Sequence, residues 1–171
     1  GNFGDILSSY YAYKMGLPVN KFVCASNENK VLTDFFKTGT YDANRELKKT
    51  ISPAMDILVS SNLERFLFDI TDEDSGKIRN WYSELENRGR FEVHKETKEK
   101  MQELFHGEYA TQKETLDTIA KVYKNFEYPL DPHTAVGVKS YEKYREKMKP
   151  ESKALIASTA NPFKFAPAVI W

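Results

Sequence analysis

Asp5-Ile6-Leu7-Ser8-Ser9-Tyr10-Tyr11-Ala12-Tyr13-Lys14-Met15-Gly16-Leu17-Pro18-Val19-Asn20-Lys21-Phe22-Val23-Cys24-Ala25-Ser26 is the stretch that decides the fold class. Ile6, Leu7, Tyr10, Tyr11 and Met15 share one face of a 3.6-residue helix. Gly16 ends that helix, and Pro18 follows two residues later. Lys21 to Ser26 then reads as a buried strand, because Phe22, Val23, Cys24 and Ala25 are apolar without alternation. A helix followed closely by a fully apolar strand is half of a βαβ unit. The first strand of that unit would lie ahead of residue 1.

Working outward, Val31 to Lys37 predicts a short helix stopped by Gly39. Ser52-Pro53 predicts another, with Ser as cap and Pro at the first helical position. Ser61-Asn62-Leu63-Glu64 has the form of a capping box ahead of Arg65-Phe66-Leu67-Phe68. Asp69 to Gly76 is acidic and ends on glycine, which suits a loop. Ile78, Trp81, Tyr82 and Leu85 follow amphipathic helical spacing. Residues 86–125 are richly charged and carry two further helix signals, one through Met101, Leu104 and Phe105. The other opens on Thr111-Gln112-Lys113-Glu114 and continues through Leu116, Ile119, Ala120 and Tyr123. Their mixed charge reads as solvated faces. Phe91-Glu92-Val93 suggests a short strand between helices. Asp131-Pro132 caps a helix running to about Met148, Lys153 to Ala157 reads as a second short apolar strand, and Asn161-Pro162 starts a last helix reaching Trp171.

Composition narrows the function classes. Lys plus Arg and Asp plus Glu number 25 each, so no net field draws the chain to nucleic acid or an acidic membrane. The single cysteine, Cys24, excludes an internal disulfide framework and fits a reducing cytoplasm. No apolar run approaches the roughly 20 residues that span a bilayer. There is no basic-then-apolar leader; the chain opens directly on a glycine turn, which implies that something upstream has been removed. The three histidines, His94, His106 and His133, show no paired metal spacing.

Three places carry candidate chemistry. Gly1-Asn2-Phe3-Gly4-Asp5 puts two glycines directly before a helix. Glycine permits close backbone approach, and the first helical N–H groups carry partial positive charge, which suits a phosphate. On pattern alone such a turn is more often only a turn. Ser158-Thr159 stands after the apolar segment 153–157, where an open parallel sheet places ligands. A hydroxyl there can hydrogen-bond a ring nitrogen, or serve only as a cap for the next helix. Asp131-Pro132-His133-Thr134 places His133 in the first turn of a helix, with N-capping the commoner role for Asp131.

Taken together these segments resemble one family. Gly1-Asn2-Phe3-Gly4-Asp5 resembles the phosphate loop of the threonine synthases, enzymes that use pyridoxal 5'-phosphate (PLP). Cys24-Ala25-Ser26-Asn27-Glu28-Asn29 with Leu32-Thr33-Asp34-Phe35-Phe36 is similar to the same family. So are Thr50-Ile51-Ser52-Pro53-Ala54-Met55-Asp56-Ile57, Asp131-Pro132-His133-Thr134-Ala135-Val136 and Ser158-Thr159-Ala160-Asn161-Pro162-Phe163-Lys164-Phe165. The motifs stand in order from 1 to 165, and 72–127 carries none beyond being a helical stretch.

The resemblance implies an α/β fold of three layers, α/β/α, helix-rich with a small, mostly parallel sheet: the C-terminal part of a tryptophan-synthase-like enzyme. Residues 1–171 would form one domain, with 72–127 a helical insertion. It implies conversion of O-phospho-L-homoserine and water to L-threonine and phosphate in the cytoplasm. Gly1, Asn2, Phe3, Gly4 and Asp5 would cradle the PLP phosphate, chiefly through backbone N–H groups. Thr159, with Ser158 beside it, would face the pyridine nitrogen, and Asn27 and His133 would line the pocket rim. In the family the lysine that forms a Schiff base with PLP lies upstream of the phosphate loop. A chain without it is expected to be an inactive fragment, lacking the N-terminal half of the same protein and prone to self-association. A related β-eliminating enzyme, of threonine dehydratase or cysteine synthase type, and a non-catalytic phosphate-binding α/β module remain the alternatives.

Overall fold

The computed structural model describes residues 2–169. Helix α1 (Gly4–Lys14) leads through a turn to β1 (Phe22–Ser26), α2 (Val31–Thr38) and β2 (Thr40–Asp42). A long loop carrying one 3₁₀ turn, Pro53–Met55, reaches α3 (Leu63–Ile70) and α4 (Ser75–Arg88). Then come β3 (Arg90–Glu92), α5 (Lys95–Leu104), β4 (Phe105–Tyr109), α6 (Gln112–Phe126) and α7 (Pro132–Met148). A 3₁₀ turn, Pro162–Phe165, runs into the short α8 (Ala166–Val169).

Strand β1 pairs in parallel with β4, in the register Phe22 to Phe105 through Ser26 to Tyr109. Helix α2 covers both strands on one side, α7 packs on both, and α6 lies against α7. The result is the three-layer α/β/α arrangement with a small parallel sheet. Phe22, Cys24 and Ser26 alternate as the buried positions of β1. A separate antiparallel pair, β2 with β3, joins Thr40–Asp42 to Arg90–Glu92. Both of its strands begin just after a glycine that ends a helix in the left-handed region, Gly39 at φ 82° and Gly89 at φ 70°. At each, the absent Cβ removes the steric cost of turning the chain sharply from helix into strand.

The core is unusually aromatic. Phe3, Phe36, Phe66 and Phe105 meet ring to ring, the Phe36 and Phe105 rings stacking at 5.1 Å and 7°. Tyr41, Phe91 and Trp81 extend the cluster along the antiparallel pair. Each such ring contributes roughly 1.5–3 kcal/mol by burial alone. Cys24 is buried among them, and burial pushes its thiol up to about 11, so it is a small core residue and no nucleophile. A smaller apolar group, Ile119, Leu130 and Ala135, sits under α6 and α7.

Several expectations are corrected. The partner of β1 is Phe105–Tyr109, inside the stretch read as helical, while 153–157 takes no strand pairing. Phe105-His106-Gly107-Glu108-Tyr109 hides its strand character because Glu108 and Gly107 look like loop residues. Glu108 is nevertheless 2% exposed. Burial alone would raise its pKa, but the 2.6 Å contact with the Lys147 ammonium, aided by the Tyr109 N–H and by Lys37, holds it below the usual carboxylate range. Gly107 is required by α2: a Cβ there would stand 2.7 Å from the carbonyl oxygen of Thr33. Thr33 in turn donates from Oγ1 to the Glu108 carbonyl at 2.9 Å.

Ser52-Pro53 starts only the single 3₁₀ turn, because Ser52 Oγ is taken by Asn27 and caps nothing. The capping box at Ser61 to Glu64 is absent. Asn62 is the cap position and makes no side-chain cap bond, and Ser61 is engaged by Asn2. The acidic loop is shorter than expected, since α4 already begins at Ser75 with Asp74 as a true N-cap. On α1 only Leu7 and Tyr10 are buried; Tyr11 and Met15 are exposed. On α6, Tyr123 is likewise exposed. A full capping box does form at Thr111 and Glu114, where the Glu114 carboxylate also takes the Lys143 ammonium of α7 at 2.7 Å. Among the described residues no helix is long and apolar enough to cross a membrane.

Candidate functional site

The turn before α1 is built on Phe3. Its φ of 63° places it in the left-handed region, and its ring sits in the aromatic core at 3% exposure. The side chain therefore anchors the turn and leaves only backbone for a ligand. No side chain caps α1. The Leu7 N–H bonds the Phe3 carbonyl at 3.0 Å, while the N–H groups of Gly4, Asp5 and Ile6 precede the first intrahelical bond. An added Cβ on Gly4 would meet only Asn62 Nδ2, at 3.8 Å. Packing within the chain does not demand glycine there, and the missing side chain leaves open space beside the helix start. Asn2 is held in place: its Oδ1 accepts from the Ser61 N–H at 2.7 Å, its Nδ2 donates to Ser61 Oγ at 2.8 Å, and its carbonyl accepts from Asn62 Nδ2 at 2.9 Å. Gly1 lies outside the described residues.

Asn27 follows β1 directly and is buried. Its amide donates to Asp56 Oδ1 at 2.7 Å, Thr50 Oγ1 at 2.9 Å and Ser52 Oγ at 3.0 Å. Its Oδ1 accepts from the Asn29 N–H at 2.9 Å. Asp56 also accepts from Asn29 Nδ2, Thr50 Oγ1 and the Thr50 N–H. A buried amide with this many partners ties a loop down. Here it tethers the loop after β2 to the carboxyl end of β1.

His133 stands in the first turn of α7. Its Nε2 accepts from the Ala54 N–H at 3.2 Å, and its Nδ1 lies 2.9 Å from Asp131 Oδ1. Asp131 is the N-cap and takes the N–H groups of His133 and Thr134 together with the Thr134 hydroxyl. Thr134 Oγ1 lies 3.1 Å from Ser158 Oγ. Ser158 and Thr159 are exposed on unpaired chain instead of at the end of a strand, and Thr159 has no hydrogen bond among the described residues.

The structure thus strings the candidate residues along the loop between β2 and α3. Thr50, Ser52 and Asp56 hold Asn27, Ala54 holds His133, and Ser61 with Asn62 holds Asn2. Ser158 joins through Thr134, and Thr159 stands apart. In the stretches Thr50 to Ile57 and Asp131 to Val136, the sequence pattern points to Ser52, Asp131 and His133 and assigns no role to Thr50, Asp56 or Thr134. Their clustered hydroxyl and carboxyl groups were the available signal. Two shallow hollows touch none of these residues: one lies between α6 and α7 beside Glu114, Lys121 and Glu142, the other between α3 and α4 beside Phe68, Ile78 and Arg79. Among the described residues no group of three His, Cys, Asp or Glu side chains is arranged to hold a metal ion.

No family profile matches the chain. Curated relatives do. It is 44% identical over 171 residues to threonine synthase-like 1 of Homo sapiens, covering 99% of this chain and 23% of the human protein. It is 44% identical over 183 residues to threonine synthase of Saccharomyces cerevisiae, covering 99% of this chain and 36% of the yeast protein. The fold matches the PLP-bound threonine synthase of Brucella melitensis with a TM-score of 0.92 at 37% identity, over 99% of this chain and 36% of that one. The chain therefore spans between a little under a quarter and a little over a third of the length of these proteins. Within that span, in sequence and in fold, it is a homologue of the threonine synthases.

Proposed function

We propose that this chain forms the cofactor-phosphate side of a PLP-dependent threonine synthase, a lyase whose intact form converts O-phospho-L-homoserine and water to L-threonine and phosphate. The observation that carries this reading is the match over nearly the whole chain to a threonine synthase that binds PLP. The helix start fits such a group. The uncapped first turn of α1 offers the N–H groups of Gly4, Asp5 and Ile6, and Gly4 leaves room where a side chain would intrude. Backbone N–H groups at a helix N-terminus hold phosphate without needing a lysine. The residues assigned to the cradle are Gly1, Asn2, Phe3, Gly4 and Asp5, acting through backbone. Thr159, which makes no hydrogen bond among the described residues, is the hydroxyl assigned to the pyridine nitrogen, with Ser158 beside it.

When bound, PLP supplies the electron sink that makes loss of the substrate phosphate and addition of water feasible. The protein orients it. Asn2 fixes the turn against Ser61 and Asn62, and the Phe3 ring locks that turn into the core. Asn27 and His133 hold the loop between β2 and α3 that borders these residues. No described lysine is buried. A lysine that must exchange protons near neutral pH needs a desolvated setting. The reactive lysine is accordingly assigned to the remainder of the protein, and the 171 residues alone are expected to be inactive.

The test is a three-substrate assay of the intact protein on O-phosphohomoserine, threonine and O-acetylserine. Release of phosphate with formation of threonine supports the reading, whereas turnover of threonine or O-acetylserine alone assigns the fold to a related β-eliminase. Separately, a borohydride-stable pyridoxyl adduct on one lysine of the 171-residue chain, with turnover, would sink the inactive-fragment assignment.

A further inference from the structure

The Asp131 carboxylate takes the N–H groups of His133 and Thr134 and the Thr134 hydroxyl, and it also lies against the His133 ring. A carboxylate only accepts hydrogen bonds. Asp131 Oδ1 lies 2.9 Å from His133 Nδ1, so Nδ1 carries a hydrogen and donates it. His133 Nε2 faces the Ala54 N–H at 3.2 Å and must accept, so it carries none. The imidazole is neutral, with its proton on Nδ1. Its ring is closed over by Phe165, whose ring lies edge-on at 4.7 Å. Ala54 is the middle residue of the 3₁₀ turn Pro53–Met55, between Ser52 and Asp56, which hold Asn27.

We propose that Asp131 is a positioning residue that fixes His133 in its Nδ1–H tautomer, and that this neutral imidazole latches the turn 53–55 to the start of α7. The latch is sensitive to protonation. A second proton on Nε2 turns an acceptor into a donor facing the Ala54 N–H, and the bond is lost. Asp131 is the charged group in contact with the ring; Ala54 contributes backbone and Phe165 an apolar edge. The charged imidazole stays bound to Asp131 through Nδ1. The expected outcome of acidification is therefore release of the 53–55 turn with α7 intact, while the Asn27 cluster and the contacts of Leu58, Ser60 and Ser61 keep the rest of that loop in place.

The test is ¹⁵N NMR of the histidine side chains in this protein together with amide exchange at Ala54, followed as the pH is lowered. At the alkaline end the expected pattern is one protonated Nδ1 and one unprotonated Nε2 for His133. As His133 titrates, Ala54 exchange, corrected for its intrinsic pH dependence, rises by about tenfold on the same curve. Asp131→Asn, whose carbonyl oxygen can hold the Oδ1 position and still accept from Nδ1, should keep the tautomer and the protection of Ala54, whereas Asp131→Ala, which removes that acceptor, should move the resting tautomer toward Nε2–H and free Ala54 at all pH values. His133→Gln, whose side-chain carbonyl can still accept from Ala54, should keep Ala54 protected without pH dependence. A resting Nε2–H tautomer in the wild type, or Ala54 exchange that ignores His133 titration, overturns the proposal. The His133→Gln arm separates this from a merely structural role if Asp131→Ala fails to fold.

Discussion

The aromatic half of the molecule and its last twenty described residues are built on opposite terms. Around Phe3, Phe36, Phe66 and Phe105 each ring meets two or more others, and the sheet passes through the middle. From residue 150 onward the chain lies on the surface. Leu155 is 98% exposed and Phe163 84%, and the tail is held by the Thr134 to Ser158 contact, by Phe165 on His133 and by α8 against α6. The first region is where stability resides. The second carries two of the candidate site residues, Ser158 and Thr159, on exposed, unpaired chain.

Four substitutions sharpen this contrast. Phe105→Ala opens a void among five other rings and is expected to cost about 3–5 kcal/mol in urea unfolding. Gly107→Ala drives a methyl against the Thr33 backbone, which cannot rotate away; about 1–3 kcal/mol is expected by the same measurement. Glu108→Gln strips Lys147 of its buried partner, at about 2 kcal/mol near neutral pH. Because the folded-state pKa of Glu108 is depressed, its contribution is present above the ordinary carboxylate range and lost as pH falls through the folded value. The Gln variant should therefore converge on the wild type in acid, and a constant gap at every pH would contradict this. Leu155→Ser should change stability by less than about 0.5 kcal/mol, since the side chain touches little. A loss comparable to that of Phe105→Ala would mean that the tail is packed after all.

The legible parts of the fold were those with a local cause. Gly39 and Gly89 stop α2 and α4 where the turn needs a positive φ, and Asp131-Pro132 starts α7 with the cap and ring its sequence announces. Strand β1 could be read because both of its faces are covered, which removes polar residues from the run. Strand β4 was missed because its character comes from distant residues: Lys147 neutralises Glu108, and Thr33 needs Gly107 bare. The apolar run 153–157 misled for the converse reason, since nothing in the described residues pairs with it. Of the candidate site, Phe3 was read as part of a cradle and turned out to be a core ring that shapes the turn. Asn27 and His133, expected at a pocket rim, also tether one loop, a role that depends on partners 23 to 79 residues away.

Glu114 has a consequence for how the molecule comes apart. Its carboxylate closes the first turn of α6 at the Thr111 N–H and grips Lys143 from the middle of α7. Fraying the start of α6 takes the counter-charge from Lys143 and leaves it the Tyr109 carbonyl and ring, and loosening α7 removes the counter-charge from the start of α6. The two helices are joined there by a shared ion as well as by packing. They should open as one cooperative unit, with matched amide protection at Thr115 and at residues near Lys143, where two independently fraying helices would each have released their ends at their own rate.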